Sequence, residues 1–176
     1  MGKTLLLTGH PRCGKTTVIQ KVAAVLGDRA GGFYTEEIFG PGGRQGFKLI
    51  TLDGKEHILA HKDWRDPKMP RVGRYGIDLG VLDNVGVAAL RKAMQAGKIV
   101  VVDEIGKMEL FSRAFRETVM LAILGAPAVL GAIIYKPYPE ADIFKTLAPV
   151  TLWEVQQVNR DNLPKKVLAW LGVKLS

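Results

Sequence analysis

Gly9-His10-Pro11-Arg12-Cys13-Gly14-Lys15-Thr16 follows the apolar run 3–8, and after it Val18, Ile19, Val22 and Val25 recur at helical spacing up to Gly27. The order is strand, glycine loop, helix, and the loop matches G-x-x-x-x-G-K-S/T in full. A helix N-terminus offers unpaired N–H groups and the positive end of a dipole, and a glycine loop adds further N–H groups in a concave nest. A turn that merely starts a helix does not call for Lys-Thr at those positions. The spacing therefore predicts a polyphosphate cradle over Gly9–Thr17. The amides of Arg12, Cys13, Gly14, Lys15, Thr16 and Thr17 are the expected donors. Pro11, which has no N–H, lies just outside that set. Lys15 is expected on the β- and γ-phosphates and the Thr16 hydroxyl on Mg²⁺. The implied ligand is a nucleoside triphosphate with Mg²⁺.

Further along, Val100-Val101-Val102-Asp103-Glu104 closes a strand expected over 98–103, whose Ile99-Val100-Val101-Val102 is continuously apolar, as in a central parallel strand. An acid at the end of a buried strand stands where open α/β sheets place ligands, and its burial calls for a partner. Asp103 is the second expected metal ligand, direct or through water. Glu104 follows where the chain turns, and is expected to orient or deprotonate water at the γ-phosphate. The stretch Val100 to Lys107, with Ile105 and Gly106, is included in the nucleotide site. Lys107 is read as a partner of Glu104 or as a cation for the transferred phosphate. A strand is expected between the two motif strands.

Between the motifs lies a β-rich insert. Segments 32–39, 44–52 and 55–60, separated by Gly40-Pro41-Gly42-Gly43 and Asp53-Gly54, predict an antiparallel meander. Residues 62–78 read as a long loop carrying Lys62, Arg65, Lys68, Arg71 and Arg74. Arg71 and Arg74 are the candidates for a cation that meets charge developing on the leaving phosphate. Helices are expected over 83–96 and 111–124 (Phe111 inward), and from Asn162 as an N-cap, with strands at 128–134 and 151–155. Strands alternating with helices imply an α/β fold with a mainly parallel sheet flanked by helices. The 176 residues fit one domain, 1–176.

Composition narrows the partners. A net charge of +8 suits nucleic acid or a small polyanion, but there is no recognition motif and no aromatic platform for nucleic acid. The single cysteine, Cys13, allows neither an internal disulfide nor a cysteine metal site. His10, His57 and His61 have no metal-ligand spacing. No run is long enough to span a membrane, and the opening apolar stretch is too short for a signal peptide. A cytoplasmic monomer is expected.

Asp103-Glu104-Ile105-Gly106-Lys107-Met108-Glu109-Leu110-Phe111-Ser112 is similar to the signature of the THEP-type nucleoside-triphosphatases. Gly32-Phe33-Tyr34-Thr35-Glu36-Glu37, Gly46-Phe47, Thr51-Leu52, the stretch from Arg71 to Gly76, and Asn159-Arg160-Asp161 also resemble that family, so the likeness spans nearly the whole chain. The resemblance implies a RecA-like P-loop fold and slow, Mg²⁺-dependent hydrolysis of ATP, GTP and other nucleoside triphosphates with little base selectivity. It implies nucleotide contact from Gly9 to Thr16 and from Val100 to Lys107. Arg12 departs from the family's usual glycine, which leads us to expect a negative φ there. Residues 135–139 do not map onto the family. Two other readings use the same residues: a P-loop kinase with an acceptor along the basic 62–74 loop, and a nucleotide-gated nucleic-acid-binding module.

Overall fold

A computed structural model describes residues 2–174. The chain runs β1 (Lys3–Thr8), α1 (Lys15–Leu26), β2 (Ala30–Gly40), β3 (Gly43–Thr51), β4 (Glu56–His61), β5 (Arg71–Val72) and β6 (Tyr75–Ile77). It continues through α2 (Leu79–Val81), a π-helical stretch (Leu82–Val87), α3 (Ala88–Gln95), β7 (Ile99–Ile105), α4 (Arg113–Gly125), β8 (Ala128–Ile133), α5 (Pro139–Lys145), β9 (Val150–Glu154) and α6 (Leu163–Leu171).

The described strands form a nine-stranded sheet in the order β5-β6-β4-β3-β2-β7-β8-β1-β9. The five strands from β2 to β9 are parallel to one another, and β3, β4, β6 and β5 continue the sheet as the antiparallel meander. β8 lies between β7 and β1.

Helices cover both faces of the parallel part, so its central strands β7, β8 and β1 carry continuous apolar runs. Side chains alternate between the two faces along each strand. Leu5, Leu7 and Val101 pack with Val18, Ile19, Val22, Val167 and Leu168 of α1 and α6. Leu6, Val100 and Val102 point the other way, toward Leu90 of α3 and Phe115 and Val119 of α4. Each such fully buried side chain contributes about 1.5–3 kcal/mol through removal from water. No helix is long and apolar enough to cross a membrane among the described residues.

Several expectations are corrected. The 62–78 segment is not one loop, because 71–77 folds back as the β5–β6 hairpin and adds to the sheet edge. The helical segment expected over 83–96 starts earlier, since the Asp78 carboxylate accepts from the Val81 N–H and caps it. Phe111 is not inward: it belongs to a 3₁₀ turn (Glu109–Phe111) and is 45% exposed, while Ser112 caps α4 by accepting from the Phe115 N–H. Asn162 takes helical backbone angles and caps nothing with its side chain. The unmapped stretch after β8 leads into α5, with Pro139 in its first turn and Glu140 and Asp142 near its positive end.

Candidate functional site

The parallel strands end on one side of the sheet, and the loops after β1 and β7 meet there around a cavity of about 900 Å³. Gly9 to Thr17 form one wall, and Asp103, Glu104, Lys107 and Glu109 another. Gly14 has φ +107 and leads directly into α1, whose first residue is Lys15. The Lys15 ammonium donates to the Gly9 carbonyl at 3.0 Å and stands 3.5 Å from the Glu104 carboxylate. The lysine therefore curls back over its own loop and meets the acid from β7.

Within the loop, two details differ from the expected donor set. The Cys13 N–H is turned to the His10 carbonyl at 3.2 Å. Arg12 has φ +64 rather than a negative value. A left-handed backbone at a side-chain-bearing residue costs roughly 1–2 kcal/mol, and this position is one that glycine would occupy without strain. The Cys13 side chain packs against the apolar cluster beneath. His10 lies against Tyr135 with ring centroids 4.4 Å apart, so the loop after β8 closes over the start of the cradle.

On β7 the apolar and the chemical residues separate. Val100, Val101, Val102 and Ile105 are core residues and do not reach the cavity; Asp103, Glu104 and Lys107 do. Gly106 lies beneath the Glu104 and Glu109 side chains. Lys107 stands 6.0 Å from the Tyr138 ring centroid, and the cation that pairs with Glu104 is Lys15.

Asp103 is 1% exposed, and its Oδ2 has no hydrogen-bond partner. Burial, and then the charge of Glu104, push its carboxyl up to about 7, against the Thr16 hydroxyl and the Lys15 charge. A buried carboxylate oxygen without a partner is costly unless something supplies one. A hard divalent cation bound by oxygen would do so, and Thr16 supplies the neighbouring hydroxyl. The described residues contain no cluster of three or more His, Cys, Asp or Glu able to hold a metal.

Sequence reasoning passed over two residues on the cavity wall. Glu109 is 5% exposed, and burial followed by the charge of Glu104 raises its pKa well above the ordinary value. Its signal was an acid inside the apolar Met108–Phe111 run. Arg44 lines the cavity from β3, with Nη1 on Glu37 at 3.0 Å and its guanidinium 4.9 Å from the Phe47 ring. By contrast, Arg71 and Arg74 are not brought to the cavity. Arg71 donates to the carbonyls of Trp64 and Arg74, and Arg74 donates to the Arg44 carbonyl and the Tyr75 hydroxyl. They tie down the β5–β6 hairpin.

A model of a family described as NTPase matches residues 4–168. "Nucleoside-triphosphatase THEP1" of Thermotoga sp. (strain RQ2) is 42% identical, over 95% of this chain and 94% of the relative. The crystal structure of THEP1 from Aquifex aeolicus superimposes with a TM-score of 0.85 at 33% identity, covering 96% of this chain and 98% of that one. The solution structure of a human cancer-related nucleoside triphosphatase gives 0.78 at 32% identity, covering 97% of each.

Proposed function

Because the chain belongs to this NTPase family, we propose that it is a hydrolase that cleaves the terminal phosphate from nucleoside triphosphates, requires Mg²⁺, and discriminates little between bases. The observation that carries the reading is the Lys15–Glu104 pair, a phosphate-binding cation 3.5 Å from a carboxylate able to act on water.

The reaction follows from the placement of charge. The free amides at the α1 N-terminus hold the phosphates, and Lys15 exchanges its contact with the Gly9 carbonyl for the β- and γ-phosphate oxygens. Glu104 accepts a hydrogen bond from a water and orients its oxygen toward the γ-phosphorus. The new P–O bond forms as the bond to the β-phosphate oxygen breaks. The water proton passes to Glu104, and the diphosphate leaves with the bond's electron pair. Lys15 stabilises the charge gathering on the leaving oxygen. Asp103 and Thr16 would hold Mg²⁺, which when bound neutralises negative charge on the β- and γ-oxygens.

Phosphate release from ATP, GTP, CTP and UTP, with no other substrate present, tests the reading. Release from all four that EDTA abolishes is the expected result. Tight nucleotide binding without release would sink it and turn attention to a missing acceptor.

A further inference from the structure

The residues discussed so far hold the phosphates; the nucleoside half of the substrate still needs a seat. On the proposed reading, the terminal phosphate lies between Lys15 and Glu104, and Glu104 belongs to β7. β7 is separated from β1 by β8, and β9 lies on the far side of β1. β1 and β9 are parallel, with Thr8 opposite Glu154, so the loop after β9 emerges beside the phosphate cradle. A nucleotide laid across the α1 N-terminus, with its γ-phosphate toward β7, extends its nucleoside toward that loop.

The loop is tied at its start and braced from within, and it carries Arg160 beside the cradle. The Val155 N–H is bound to the Thr8 carbonyl at 2.7 Å, which ties the loop's start to the end of β1. Asn159 is turned inward, its Oδ1 accepting from the Gln156 N–H at 2.8 Å and its Nδ2 donating to the Glu154 carbonyl at 2.9 Å. The Arg160 N–H closes the same turn on the Gln156 carbonyl at 3.0 Å. Arg160 itself is exposed and lies against Gly14. A Cβ placed on Gly14 would stand 3.2 Å from Arg160 Cδ and 4.0 Å from Nη1. Among the described residues, its guanidinium has no hydrogen-bond or ionic partner. A loop braced by its own hydrogen bonds therefore holds a free, planar cation against the last glycine of the phosphate loop.

We propose that Arg160 is the seat of the nucleoside, its guanidinium stacking on the face of the base beside Gly14. This rests on the nucleoside triphosphatase reading and adds the contact that distinguishes a nucleotide from bare polyphosphate. A guanidinium stacks on any aromatic face and does not read the edges of the ring. Asn159, the polar side chain directly before it, is engaged in holding the loop. The arrangement supplies a physical reason for base tolerance.

The test compares binding of the β,γ-imido analogues of ATP and CTP with binding of inorganic tripolyphosphate, all with Mg²⁺, in the wild type, Arg160→Ala and Arg160→Lys. Melting curves verify that the variants fold. Arg160→Ala is expected to weaken both nucleotide analogues by about tenfold and to leave tripolyphosphate within about twofold, because only the stacked ring is lost. Arg160→Lys, which restores charge but not the plane, is expected to recover little of that loss. An equal loss for tripolyphosphate would overturn the proposal and make Arg160 a phosphate ligand. No loss for any ligand would also overturn it and move the base to the meander side of the cavity. A wild type that binds none of them would instead sink the underlying functional reading.

Discussion

The Lys15 ammonium stands 3.5 Å from the Glu104 carboxylate, although Lys15 opens α1 after β1, and β1 does not touch the β7 strand that carries Glu104. With β8 interposed, β1 and β7 lie two strand spacings apart, about 9–10 Å. The 9–14 loop and the two long side chains together close the gap, and on the proposed function a phosphate displaces the ion pair.

That pair separates binding from turnover. Glu104→Gln keeps the shape of the side chain and removes its basicity, so nucleotide affinity is expected to stay within about threefold while kcat falls by about 10²–10⁴. Lys15→Ala is expected to weaken binding itself by at least about tenfold. Equilibrium titration beside single-turnover phosphate release checks both, and full turnover in Glu104→Gln would remove that residue from the mechanism.

Asp103 predicts how stability depends on pH in the absence of metal and nucleotide. Its carboxyl titrates at about 7 in the fold, against 3.8 for the unperturbed group. Between those values the folded state binds more protons than the unfolded state, so stability falls as pH rises from 4 to 7. The loss is on the order of a few kcal/mol. Glu109, raised by burial and by Glu104, adds a loss of the same sign, whereas Asp53, lowered chiefly by the Thr51 hydroxyl, acts below 3.8 and outside this window. Comparison with Asp103→Asn reads this carboxyl together with its influence on Glu109. The variant's melting temperature should drop less than the wild type's between pH 5 and pH 8, in EDTA, and identical pH dependence would contradict it.

Arg71 and Arg74 are expected to matter to the hairpin rather than to the reaction. Their donors end on carbonyls of Trp64, Arg74 and Arg44 and on the Tyr75 hydroxyl. Arg71→Ala should lower stability by roughly 1–2 kcal/mol, the scale of its lost charge-assisted hydrogen bonds, and leave kcat within about twofold. A tenfold drop in kcat with an unchanged melting temperature would restore Arg71 to the chemistry.

Gly32 tests the packing of β2 on β7. Its φ is +123, and a Cβ there would stand 2.0 Å from the Val101 carbonyl oxygen. Gly32→Ala is expected to cost at least about 3 kcal/mol in urea denaturation, because backbone strain and overlap with a central strand add together. A loss below 1 kcal/mol would mean that β2 can shift along β7.

The parts of this fold that depend on short-range pattern were legible in the residues. Strand, Gly9–Thr16 and helix gave the phosphate loop its context, and the apolar Ile99–Val102 run marked a strand covered on both faces. What escaped depends on tertiary contact. Arg44 and Arg74 look alike in sequence, yet a pairing with Glu37 turns one toward the cavity and a bond to the Arg44 carbonyl turns the other away. Glu109 reads as one more charge of a helix start until burial singles it out. The β5–β6 hairpin escaped because its strands, Arg71–Val72 and Tyr75–Ile77, are too short to show alternation. Arg160 stood out only through resemblance, since nothing local relates it to Gly14, far back along the chain.

The hairpin also forms one border of the sheet. A sheet that stopped at β4 would offer a six-residue strand with unpaired N–H and C=O groups, a template on which another chain could add. Here the outermost strand on that side has two residues, follows Pro70, and begins with Arg71. So short and charged a border discourages edge-to-edge aggregation, and the two arginines that hold the hairpin in place serve solubility.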